Sequence, residues 1–162
     1  QGAGGGVATA AIVLARALGG KVYATSRDEG KRARAEDLGA IALPSGERLP
    51  ERVDLVIETV GAATFEHSMK CLRPGGRLVV SGATSGHQAT IDLRRVFFLQ
   101  LSILGSTMGT RDELSDVVAL CASQGLRPLI DSEFSLRDAR SAFERLAGGE
   151  AFGKIVLLPG DS

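Results

Sequence analysis

The chain has 162 residues, 44% of them apolar, and 19 basic side chains balance 19 acidic ones. This length suits one domain with a real core and leaves no room for a two-domain enzyme. The even charge excludes a net field toward nucleic acid or an anionic membrane. Cys71 and Cys121 lack partners at disulfide or zinc spacing, and no apolar run approaches the roughly 20 residues of a membrane span, so a reduced, cytoplasmic setting is expected.

The opening Gln1-Gly2-Ala3-Gly4-Gly5-Gly6-Val7-Ala8 reads as a glycine turn feeding a helix from Val7 to Leu18, stopped by Gly19-Gly20. Val7, Ala11, Leu14 and Leu18 make one face of it. Lys21 to Thr25 reads as a strand. A polar helix follows from Glu29 to Leu38, with Asp28 as N-cap and Gly39 as stop, and then a strand from Ala40 to Leu43. After the loop from Pro44 to Pro50, the apolar cluster of Val53 to Val60 suits a buried strand of a parallel sheet. Phe65, Met69 and Leu72 recur at helical spacing, Arg73-Pro74-Gly75-Gly76 makes a turn, and Arg77 to Ser81 is a strand ending in the loop Gly82-Ala83-Thr84-Ser85-Gly86.

Beyond a short apolar segment from Leu93 to Leu99, a strand is expected near Leu101 to Ser106. A helix from Arg111 to Ser123 follows, opened by Thr110 with Glu113 at capping-box spacing. Leu126 to Leu158 reads as a strand, a helix from Leu136 to Ala147 with Ala139, Phe143 and Leu146 on one face, and a last strand from Lys154. Strands alternating with helices predict a doubly wound α/β fold with a parallel sheet, the Rossmann arrangement.

In such sheets ligands bind at the carboxyl ends of the strands, where a glycine turn brings backbone N–H groups and a helix N-terminus to a pyrophosphate. Gly2, Gly5 and Ala8 fall at three-residue intervals, as that chemistry requires; the alternative is a flexible start to a helix. About 20 residues further on, a cofactor with a free ribose 2′-hydroxyl calls for a carboxylate at the strand end. Here the strand ends Thr25-Ser26-Arg27, with Lys31 one turn on, which favours a 2′-phosphate; the alternative is that Arg27 and Lys31 are solvated charges. Gly61 and the loop from Gly82 to Gly86 end two later strands, on the same sheet edge.

These residues resemble the cofactor domain of the medium-chain dehydrogenase/reductases, in particular the branch of zinc-binding dehydrogenases and quinone oxidoreductases. The matching pieces are Gly2 to Ala10, Ala15-Arg16-Ala17-Leu18-Gly19, Ala24-Thr25-Ser26-Arg27 with Lys31, Leu38-Gly39-Ala40, Glu58-Thr59-Val60-Gly61, Leu72 to Arg77, Ile103 to Gly109 and Phe152 to Leu157. The resemblance implies hydride transfer between nicotinamide C4 and a carbonyl, alcohol or activated alkene, with NADP(H) held between this part and an N-terminal domain. It implies that Gly5, Gly6 and Val7 hold the pyrophosphate, that Ser26, Arg27 and Lys31 hold the 2′-phosphate, that Thr59, Val60, Ala83 and Thr84 flank the ribose and nicotinamide, and that Lys154 reaches the cofactor. It also implies a homodimer through the edge strand Leu101 to Ser106. Residues 1–125 are then the nucleotide-binding domain and 126–162 a segment that packs on a further domain, with an apolar face exposed, mobile or covered by another chain.

An apolar strand before the glycine turn belongs to that pattern, so the sheet is expected to lack its first strand and the sequence to be a fragment or an incomplete chain, inactive alone. Catalytic residues stay unassigned, no metal ligands are evident, and a zinc requirement cannot be judged. His67 falls on a polar helical face, where solvation is the expected fate; His87 follows a glycine loop. A class I methyltransferase shares the sheet and the Leu-Arg-Pro-Gly-Gly-Arg turn but calls for an acid at the second strand end. A short-chain dehydrogenase calls for a Tyr-x-x-x-Lys pair, and the only tyrosine, Tyr23, sits in a strand. A non-catalytic NADP(H)-binding protein is the remaining alternative.

Overall fold

The computed structural model describes residues 1–160; the last two positions of the expected C-terminal segment, Asp161 and Ser162, lie outside the described residues. The elements run α1 (Gly6–Ala17), β1 (Tyr23–Ser26), α2 (Glu29–Asp37), β2 (Ile41–Pro44), β3 (Val53–Glu58), α3 (Phe65–Cys71), β4 (Leu72–Val80), α4 (Leu93–Phe98), β5 (Ser102–Gly105), α5 (Arg111–Gln124), β6 (Ile130–Ser135), α6 (Ala139–Ala147) and β7 (Lys154–Leu158), with one 3-10 turn over Leu136–Asp138. Every strand pairing is parallel: β1 with β2, β4 between β3 and β5, and β6 with β7. The doubly wound α/β class is therefore the fold. None of the described helices is long and apolar enough to cross a membrane.

Local signals act where the sequence placed them. Asp28 caps α2 by accepting from the Lys31 N–H at 2.8 Å. Thr110 and Glu113 close the capping box on α5, and Gly125 ends that helix in the left-handed region. One expected turn takes another form. Arg73 to Gly76 is a bulge inside β4: the register jumps from Val53 opposite Leu72 to Leu55 opposite Arg77, and the Gly75 N–H is held by the Leu99 carbonyl at 2.7 Å.

The first residues link the sub-sheets of β1 and β3. β1 and β3 are not paired with each other; a groove of about 500 Å³ separates them, lined by Ala8, Ala11 and Ala15 of α1 and by both strands. Side chains bridge it at one end, where the Tyr23 hydroxyl donates to Glu51 Oε1 at 2.8 Å, and the first residues bridge it at the other. There the Gln1 nitrogen donates to the Ile57 carbonyl at 3.0 Å and the Ala3 N–H to the Thr25 carbonyl at 2.8 Å. Strands β1 and β3 both face this groove and make no ladder across it.

Packing divides the residues of α1 between inside and outside. Thr9 and Ile12 are its buried residues, whereas Val7 is 51% exposed and Leu18 71% exposed. Helical periodicity defines a stripe, but the tertiary partner decides which stripe is covered. Two cores result. Ala3, Ile12, Ala24, Ala35, Ala40 and Phe152 form one around β1; Val56, Met69, Cys71, Leu72, Leu78 and Leu101 form the other around β4. Phe152 is buried although it lies in the C-terminal segment, while Leu136, Phe143 and Leu146 of that segment are exposed.

Candidate functional site

The site grows from the glycine turn. Gly2, Gly4 and Gly6 each stand where a Cβ would collide with a neighbour: at Gly2 with Val60 Cγ2 at 2.7 Å, at Gly4 with Lys31 Cδ at 2.8 Å, and at Gly6 with Lys154 Cε and Nζ, both at 2.6 Å. Three side chains from three distant parts of the sequence therefore close on one turn. Gly5 is the N-cap of α1, with extended backbone and no side chain to satisfy the first amides, and Gly6 and Val7 open the helix. Lys154 Nζ thus lies at the positive end of a helix of 12 residues, with no acid partner among the described residues.

The lysine is carried there by β7. Gly153 donates its N–H to the Gly4 carbonyl at 2.8 Å, and Lys154 donates its own to the Leu129 carbonyl at 2.9 Å. Beneath them Asp131, whose side chain is 1% exposed, accepts from Arg145 Nε and Nη2 at 2.7 and 3.1 Å and from the Phe152 N–H at 3.0 Å. The Arg145 guanidinium, opposed by burial and helped by the Phe152 amide, holds the Asp131 carboxyl well below the usual carboxylate range. Arg34 stacks on the Phe152 ring at 4.5 Å, so α2, β6, α6 and β7 are locked together behind the turn.

At the end of β1, Ser26 is buried and its Oγ accepts from the Asp28 N–H at 3.2 Å; Arg27 is exposed. Lys31 stands beside the turn, but its Nζ donates to the Gly149 carbonyl at 2.6 Å. Sequence reasoning missed Arg32. Its Nη1 donates to the carbonyls of Ser26 and Arg27 at 3.0 and 3.2 Å, which fixes a cation at the strand end. The signal was a third basic residue next to Lys31, but helix periodicity alone did not say which of the two would turn back.

At the ends of β3 and β4, Thr59 donates to the Gln1 carbonyl at 3.2 Å, and Val60 packs on Gly2. Ala83 lies against Gly61, whose φ of +90° and absent Cβ admit the contact; Thr84 is exposed. Ser81 Oγ is buried without a hydrogen-bond partner among the described residues. Glu58, which no sequence motif singled out as functional, is fully buried below this loop. The structure thus brings Gly5, Gly6, Val7, Lys31, Thr59, Val60 and Lys154 around one turn, places Ser26 and Arg27 at the end of β1, and sets Ala83 and Thr84 on the loop facing Gly61.

His67 departs from expectation. It is half-buried, with Nε2 donating to the Glu47 carbonyl at 2.7 Å and Nδ1 accepting from the Gln1 amide at 3.0 Å, a pattern that assigns the proton to Nε2. A polar helix face met a loop, and the ring was covered. Among the described residues no three His, Cys, Asp or Glu side chains cluster as metal ligands.

A profile of the family described as zinc-binding dehydrogenase matches residues 6–123. An acryloyl-coenzyme A reductase of Sulfurisphaera tokodaii is 30% identical over 98% of this chain and 49% of its own length. An NAD-dependent alcohol dehydrogenase is similar in structure, with a TM-score of 0.87 and 34% identity over 98% of this chain and 50% of that one. A thermostable alcohol dehydrogenase from Pyrobaculum aerophilum, determined with cobalt and zinc bound, gives a TM-score of 0.84 at 33% identity, covering 98% of this chain and 48% of that one. The chain spans about half the length of the curated relatives it matches.

Proposed function

The chain belongs to the zinc-binding dehydrogenase family, and from that premise we propose that it is the NADP(H)-binding part of an oxidoreductase. The reaction is hydride transfer between a nicotinamide and a carbonyl, alcohol or activated alkene, with quinones, enones and aldehydes as the substrate class. One observation carries the cofactor assignment: the Lys154 ammonium sits across Gly6 at the amino end of α1. Two positive ends facing each other repel, and an anion between them relieves both, which is what a pyrophosphate supplies. The residues fit such a group. The Gly5 N–H has only a long 3.5 Å contact to the Gly2 carbonyl, Gly6 and Val7 open the helix beside it, and the missing Cβ atoms of Gly4 and Gly6 let Lys31 and Lys154 close on the turn. When bound, the nicotinamide supplies the hydride donor or acceptor; Thr59, Val60, Ala83 and Thr84 shape the ledge that orients it.

The 2′-phosphate is assigned to Ser26, Arg27 and Lys31. The cation of Arg32 fixed at the end of β1 supports it, as does an Asp28 carboxylate already spent on capping α2. NADH is the second reading, favoured by the name of the NAD-dependent relative. Titration calorimetry with NADPH and NADH decides between them. The phosphorylated form is expected to bind more tightly, and Arg27→Ala to narrow the gap by about 1.5 to 3 kcal/mol, the worth of one charged hydrogen bond. Equal affinities remove the 2′-phosphate assignment.

Residues 1–125 form the nucleotide-binding unit in this proposal. Residues 126–162 pack on a further domain through the exposed face of Leu136, Phe143 and Leu146. Hydride transfer needs cofactor and substrate in register, so the chain alone is expected to bind nucleotide without turnover. Two copies pair through β5, which leaves one edge open and exposes Ile103 and Leu104. Cys71 and Cys121 as free thiols suit the cytoplasm.

A further inference from the structure

The loops that follow β3 and β4 are bound into one body from above and from below. Above, the Ser85 N–H and Oγ each donate to the Val60 carbonyl at 2.7 Å, Ser85 Oγ accepts from the Ala63 N–H at 3.0 Å, and the Ala62 N–H donates to the Gly86 carbonyl at 3.0 Å. The approach is so close that a Cβ on Gly61 would lie 2.5 Å from the Gly86 oxygen.

Below, Glu58 is 0% exposed and forms no ion pair with a side chain of the described residues. Its Oε1 accepts from the N–H groups of Val60 and Gly61 at 2.8 and 3.0 Å, Thr64 Oγ1 reaches the carboxylate at 2.9 Å, and Ser68 Oγ donates to Oε2 at 2.5 Å. Burial pushes this carboxyl up, but the donors of Ser68, Gly61, Val60 and Thr64 outweigh it and hold it below its ordinary range. A buried anion is costly unless such donors are fixed around it, and the same donors are the backbone of the turn.

We propose that Glu58 and Ser85 are positioning residues, which hold Thr59 and Val60 as one rigid ledge against the nicotinamide half of the bound dinucleotide and set affinity for that half alone. This rests on the nucleotide function proposed above. The ledge meets the glycine turn through Thr59 on Gln1 and Val60 on Gly2, while the proposed adenosine end lies at Ser26 and Arg27 on a different sub-sheet. Loosening the ledge therefore lowers affinity for the whole dinucleotide and leaves its adenosine half untouched, because a mobile ledge must be ordered on binding.

The experiment titrates the wild-type chain, Glu58→Gln and Ser85→Ala with NADPH and with 2′,5′-ADP, or with NADH and AMP where the unphosphorylated form binds more tightly; thermal melting runs alongside. Glu58→Gln turns an acceptor into a donor facing the Ser68 or turn donors, and NADPH affinity is expected to fall by about tenfold, as for one lost hydrogen bond to a charge, with 2′,5′-ADP unchanged. Ser85 is exposed, so Ser85→Ala is expected to melt with the wild type, to show the same selective loss in smaller degree, and to decide the matter where Glu58→Gln unfolds. A wild-type chain that binds both probes while Ser85→Ala weakens them alike, or weakens neither, overturns the positioning role alone. A wild-type chain that binds neither probe overturns the nucleotide function and this inference with it.

Discussion

Gly6→Ala separates the function of the glycine turn from its contribution to stability, because the two should move in opposite directions. Gly6 is the first residue of α1 and its φ is not among the positive ones, so alanine is compatible with the backbone. Alanine narrows the unfolded ensemble and suits a helix better, which is worth about 0.4 to 1 kcal/mol of added stability. The nearest atoms to the new methyl are those of the Lys154 side chain, from 2.6 Å, and a flexible lysine swings away at little cost. Swinging away removes the cation from the helix end, and the methyl fills the space meant for the pyrophosphate. Affinity for NADPH is then expected to fall by about 1.5 to 3 kcal/mol, the loss of one charge-assisted hydrogen bond, or about 10- to 150-fold. Thermal melting and titration calorimetry on the same preparation read the two quantities. Unchanged affinity with raised stability would refute the placement of a phosphate between Gly6 and Lys154, and a fall in stability would refute the account of the turn itself.

Other outcomes can be checked in parallel. Gly61→Ala imposes a φ of +90° on alanine and drives its Cβ toward the Gly86 oxygen; a loss of about 2 kcal/mol or more is expected in urea unfolding, and a loss below about 0.5 kcal/mol contradicts the close loop contact. Asp131→Asn keeps an acceptor for the Phe152 amide but gives up the ion pair with Arg145, which is one-third exposed, so about 2 kcal/mol should be lost at pH 7. The folded Asp131 carboxyl titrates below its unfolded value, so its contribution is complete above about pH 5 and fades as pH falls through 4 and lower; the wild type and Asp131→Asn should therefore converge in unfolding titrations at acid pH. A gap that stayed constant down to pH 3 would show that the aspartate is not the group responsible. The Lys154→Ala chain should lose affinity for NADPH and 2′,5′-ADP unequally, the dinucleotide more, since only the dinucleotide spans the pyrophosphate site by α1.

The order of elements, the caps and the glycine turn were legible in the sequence because each is a short-range matter. Asp28 reaches an amide three residues on, Thr110 and Glu113 satisfy each other, and glycines without Cβ atoms announce a close approach wherever it comes from. What approaches them was settled only in three dimensions. Lys31 and Lys154 both read as candidate cations, yet one spends its ammonium on the Gly149 carbonyl while the other stands at the helix end; Arg32, one residue beyond Lys31, turns back to the strand. Glu58 resembled any acid ending a strand until Ser68, ten residues away, and the folded turn surrounded it with donors. Residues three or four apart share a helix face by geometry alone, but whether that face meets a sheet, a groove or water depends on chain segments the local pattern does not contain, as Val7 and Leu18 on the outside of α1 and Ile12 on the inside make plain.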